Sequence, residues 1–74
     1  MSIVSSTYVV DADTQPDGRR YVTETHTDSL GEPHVVIYLA VPGANYSAIC
    51  TARATQIADG LANAEAAALI VGGG

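Results

Sequence analysis

The sequence predicts an α+β fold: a three-stranded antiparallel β-meander followed by one long C-terminal α-helix, in the order β-β-β-α. Three observations lead there. Three runs rich in valine, threonine and tyrosine occupy the first half of the chain, as half-buried strands require. The connections between them are tight turns, which join antiparallel rather than parallel neighbours. The remainder is alanine-rich and free of proline, with Gly60 as its interior glycine, and alanine has the best helix propensity.

The first strand is expected at Ile3–Ala12. It ends at Gln15-Pro16-Asp17-Gly18, where proline suits φ near −65° and glycine suits the positive φ that closes a three-residue hairpin. The second strand, Arg19–Asp28, runs into Asp28-Ser29-Leu30-Gly31, again with aspartate first and glycine fourth in the turn. The third, Pro33–Val41, is broken by Pro42-Gly43-Ala44-Asn45. The helix then runs Tyr46–Val71 and ends at the terminal glycines. The 74 residues make one small domain, near the lower size at which a single core suffices without staples.

Hairpin geometry sorts the strand residues onto two faces. With Gln15 opposite Arg19, Asp11 faces Thr23 and Val9 faces Thr25; with Asp28 opposite Glu32, Thr25 faces Val35 and Tyr21 faces Leu39. One face then holds Thr7, Val9, Asp11, Tyr21, Thr23, Thr25, Val35, Ile37 and Leu39. The aliphatic trio of the third strand marks it as the face expected under the helix. The other holds Tyr8, Val10, Ala12, Val22, Glu24, His26, His34, Val36 and Tyr38. A solvated face should be polar, so Tyr8, Val10, Val22, Val36 and Tyr38 are expected to meet another subunit.

The helix shows two stripes. Tyr46, Ile49, Ile57, Leu61, Ala64 and Ala68 recur at core-facing spacing, beside a strict i, i+4 row of Ala54, Ala58, Ala62, Ala66 and Ile70. Such a helix spans roughly 39 Å against roughly 25 Å for the sheet. Its end therefore overhangs its own sheet, and the alanine row becomes a second expected interface.

Composition excludes several function classes. The net charge is −5, with only Arg19, Arg20 and Arg53 as basic residues. That is too few cations on one face to neutralise a run of phosphates or an anionic lipid surface, so neither nucleic acid nor membrane is an expected partner. The N-terminal residues do not read as a signal peptide, and the final apolar stretch AEAAALIVGGG is too short and alanine-rich to be expected to span a bilayer. Cys50 is the single cysteine, which excludes an internal disulfide.

Chemical motifs are sparse. His26 and His34 should face each other across the second hairpin, flanked by Glu24. Histidines and a carboxylate on one sheet face could ligate zinc or iron. Solvent-exposed strand positions explain the same pattern, and no metal or cofactor is expected. Cys50 reads as a small packed hydrophobe. Asp11, Asp13 and Asp17 serve turn formation and lack the pattern of a calcium loop. No nucleophile, base and orienting group can be assembled, so the chain is not expected to be an enzyme.

Tyr21-Val22, Glu24, His26-Thr27-Asp28, Gly31, His34, Tyr38-Leu39-Ala40 and Ala52-Arg53-Ala54 form a pattern that covers about two thirds of the chain. It resembles small proteins encoded among the structural genes of tailed bacteriophages. The resemblance implies a virion part of the tail, baseplate or fibre-attachment region, present in the host cytoplasm during assembly. The expected function is a non-enzymatic assembly subunit whose partners are copies of itself or other virion proteins. The alternatives are a small soluble adaptor or inhibitor that binds one partner reversibly, and a metal-dependent activity at His26 and His34.

Overall fold

A computed structural model describes residues 2–72, with side chains as far as Ala66. Strand β1 (Ile3–Val10), β2 (Arg20–Asp28) and β3 (Pro33–Ala40) precede a single helix, α1 (Tyr46–Gly72). The strands form one antiparallel sheet in the order β1-β2-β3. This is the β-β-β-α order of the sequence reading, with element ends shifted by one or two residues.

Each junction is built from local chemistry. Gly18, Gly31 and Gly43 hold positive φ at the three turns. In the second hairpin the Asp28 carboxylate accepts from the backbone N–H of Leu30 and of Glu32, fixing the turn from inside. Asn45 caps α1: its side-chain oxygen accepts from the Ala48 N–H at 3.2 Å, satisfying one of the free donors of the first turn.

The second hairpin pairs as expected, with Thr25 opposite Val35, Thr23 opposite Ile37 and His26 opposite His34. The first differs by two residues: Val9 faces Thr23, not Thr25. Its tip still forms as predicted, with the Gln15 N–H donating to Arg19 and the Gly18 N–H to Gln15. The segment between Asp11 and Gln15 is longer than its counterpart between Arg19 and Tyr21, and this surplus causes the shift. A two-residue shift preserves the alternation of side chains, so the membership of the two faces stands.

The face chosen by the helix is the reverse of the one expected. Along β2, Val22, Glu24, His26 and Asp28 are buried while Tyr21 is exposed. Helix α1 packs on the face of Tyr8, Val22, Glu24, His26 and Tyr38, and leaves Val9, Tyr21, Val35 and Ile37 open. The reason lies in α1: its inward stripe contains Tyr46, Cys50 and Arg53, and Arg53 needs an acid and a polarizable surface. The covered face supplies Glu24 and Tyr38 beneath the helix; the acid and ring of the other face, Asp11 and Tyr21, sit together toward the first hairpin.

The helix does overhang. The molecule measures 53 × 20 × 16 Å, and α1 alone is 27 residues. Leu61 is half-buried, whereas Ala62, Asn63, Ala64, Glu65 and Ala66 are all exposed.

Candidate functional site

Cross-strand pairing stacks three rows beneath α1: Val10–Val22–Tyr38, Tyr8–Glu24–Val36 and Ser6–His26–His34. Two rows therefore bring ionisable groups to the centre of a small hydrophobic layer. Glu24 and His26 have no exposed surface. Burial of an ionised carboxylate is costly without partners, and Glu24 has two on one oxygen. Its Oε1 lies 2.8 Å from His26 Nε2 and accepts from Arg53 Nε at 2.6 Å. The other ring nitrogen, His26 Nδ1, sits 2.7 Å from Ser6 Oγ.

Arg53 reaches this acid from α1 with its guanidinium 4.9 Å above the Tyr38 ring, a cation–π contact. Cys50, one helical turn earlier, is buried beside the same group. Carboxylate, imidazole and thiol ligand atoms of Glu24, His26 and Cys50 lie within 4.8 Å of one another. Burial, reinforced by the Glu24 charge, pushes the Cys50 thiol pKa up, and the same causes raise that of the Tyr38 phenol. Two polar atoms of the cluster, Glu24 Oε2 and the Tyr38 hydroxyl, are buried without a hydrogen-bond partner.

His26 and His34 are opposite each other in the register, yet their side chains serve different acids. His34 Nε2 pairs with Asp28 Oδ2 at 2.9 Å, at the hairpin end of the sheet. That hydrogen bond, with the Glu32 and Leu30 amides, holds the Asp28 carboxyl below its usual pKa against the opposing effect of burial. The pairing of His26 with His34 as joint ligands is thus replaced by two separate acid–imidazole pairs.

The expected interface residues are distributed as follows. Val22 is buried under α1, Tyr38, Val36 and Val10 are half-buried, and Tyr8 packs its ring 6.2 Å from that of Tyr46. These five belong to the face covered by the chain's own helix, which corrects their assignment to a face left free for another subunit. The alanine row splits. Ala54 and Ala58 line an open cleft of about 400 Å³ against Ser2–Ser6 of the first strand region, while Ala62 and Ala66 are exposed. Ile70 lies outside the residues whose side chains are described.

The open face is the aliphatic one. Val9, Thr23 and Ile37 form one row across it and Thr7, Thr25 and Val35 the next. Val9 is 69 % exposed, Ile37 65 % and Val35 57 %. The buried cluster was missed in the sequence because nothing local links Glu24 to Arg53. The signal was that Arg53 is the single basic residue of the helix, placed one turn after Cys50 on its apolar side.

No protein-family model, curated protein or solved structure matches this chain. Among the described residues, no helix is long and apolar enough to cross a membrane.

Proposed function

We propose that the protein is a non-enzymatic structural subunit that works by being built into a larger protein assembly. The observation that carries this reading is the uncovered aliphatic sheet face, with Val9, Val35 and Ile37 each more than half exposed. Exposed aliphatic side chains gathered on one sheet face, here with threonines Thr7, Thr23 and Thr25 among them, are characteristic of contact sites. Covering about 800 Å² of such surface contributes on the order of 20 kcal/mol before the costs of association, enough for a permanent contact. The exposed helical residues after Leu61 offer a second contact on a different side. The phage-like pattern from Tyr21 to Ala54 supports a virion as the setting, with copies of this chain or other virion proteins as partners.

The test is the solution mass of the purified protein by sedimentation over the micromolar range. The expected result is an oligomer that dissociates when Val35 and Ile37 are both replaced by threonine, with the circular dichroism spectrum retained. A monomer at all concentrations that is also unable to join any co-produced structural protein would overturn the reading.

A further inference from the structure

We propose that Glu24, His26 and Cys50 form a buried binding site for a zinc-class divalent cation. It is a different donor set from the facing histidines, and it is independent of the assembly reading. The three side chains offer oxygen, nitrogen and sulfur atoms within 4.8 Å of one another. Zinc is held by this mixture at about 2.0–2.3 Å per ligand. Only a small contraction of the cluster brings all three to one centre.

The remaining contacts are those such a site needs. His26 Nδ1 lies 2.7 Å from Ser6 Oγ, so the ring is oriented by an outer partner while Nε2 faces the acid. Metal-bound histidines regularly have such a partner on the second nitrogen. Glu24 Oε2 is buried and unpartnered, a carboxylate oxygen available for a cation, while Oε1 keeps its hydrogen bond from Arg53. A water supplies the fourth position of a tetrahedron.

Charge and protons balance. Binding forms a metal–sulfur bond as the Cys50 thiol loses its proton to solvent. Without metal the His26 Nε2–H donates to Glu24 Oε1; on binding, that proton is replaced by one on Nδ1, toward Ser6 Oγ, which frees the Nε2 lone pair for the cation. The cation is neutralised by one carboxylate and one thiolate, and Arg53 remains as an outer-sphere partner. Without metal the Glu24–Arg53 pair already compensates the carboxylate. Metal binding therefore adds stability to a chain that folds without it.

Cobalt(II) titration of the reduced protein tests the site. The expected spectrum has a thiolate-to-cobalt charge-transfer band and the intense visible bands of a tetrahedral centre, both displaced by zinc. Zinc should raise Tm. Cys50→Ala should lose the charge-transfer band and weaken zinc binding by on the order of 100-fold or more, Ser6→Ala should weaken it by roughly tenfold, and His34→Ala should leave it unchanged. Absence of the charge-transfer band from the wild-type protein overturns the proposal, whatever the variants do. Zinc affinity that survives in Cys50→Ala identifies an adventitious surface site and overturns it equally.

Discussion

Arg53 on α1 donates through Nε to Oε1 of Glu24 on β2 across 2.6 Å, linking the helix to the central strand over 29 positions of sequence. Glu24 is wholly buried, while the Arg53 side chain keeps 27 % of its surface exposed. The acid thus depends on the arginine more than the arginine depends on the acid. Removing one member of a buried pair costs about 3–5 kcal/mol, because the other charge is left uncompensated. Arg53→Met should destabilise the protein by about 3 kcal/mol, the lower end reflecting its exposure. The double variant Glu24→Gln/Arg53→Met should be the more stable of the two, since the neutral amide keeps a polar partner for His26. Urea unfolding of the two variants measures the coupling; a double variant weaker than the single one would show that the charge of Glu24 is not held by Arg53.

The Asp28–His34 pair contributes to the fall of stability in acid. The folded carboxyl has a pKa below the ordinary value of 3.8, so the unfolded chain takes up its proton first as pH falls. The contribution of Asp28 is therefore fully present above about pH 4 and is lost as pH drops through the lower, folded pKa. Asp28→Asn should flatten the fall in stability below about pH 4, because the amide does not titrate. Chemical denaturation at a series of acid pH values reads this slope directly.

Two glycines should respond in opposite directions to alanine. Gly60 lies within α1, and a Cβ added there meets nothing within 4 Å. Gly60→Ala should stabilise the protein by about 1 kcal/mol through helix propensity and a less disordered unfolded chain. Gly18 has φ +89° and an added Cβ would approach Pro42 Cγ to 3.2 Å. Gly18→Ala should cost about 1–2 kcal/mol, more than Gly31→Ala, where φ is similar but the space is open. Thermal melts of the three variants give the order.

The alanine row separates folding from assembly. Ala58 faces the cleft against Ser2–Ser6, whereas Ala62 is exposed. Ala58→Glu should reduce stability by about 1–2 kcal/mol, and Ala62→Glu should change it by no more than about 0.5 kcal/mol. If the overhang joins the assembly, Ala62→Glu should nevertheless lower the oligomeric mass. Paired melting and sedimentation measurements on the two variants distinguish these effects.

How much of this was legible in the sequence depended on the distance between the residues concerned. Turn glycines, strand composition and the alanine run are local signals, and they specify the elements and the second hairpin. Alternation then fixes which residues share a face, and it survives the two-residue shift between β1 and β2. The choice between the faces is not local. Val35, Ile37 and Leu39 look like core by hydrophobicity alone, yet Val35 and Ile37 are exposed. What overrides them is the need of Arg53 for Glu24 and Tyr38, a relationship visible only when helix and sheet are considered as a matched pair. The cluster of Glu24, His26 and Cys50 follows from that choice: with the helix on the other face, the thiol and the imidazole would never meet.

The overhang of α1 bears on the cost of ordering a helix at a contact. Residues 62–72 continue the helix, but a segment of that length alone is shorter than the roughly 12–15 residues at which an isolated helix becomes even marginal in water. Its helical state is propagated from the turns anchored at Ile49, Arg53 and Ile57. A partner gripping it meets a helix already nucleated, and is spared a factor of about 10⁻³, or ~4 kcal/mol, that a disordered tail would impose at docking. In the proposed assembly, anchoring the base of α1 on the sheet would thus also prepare its far end for capture.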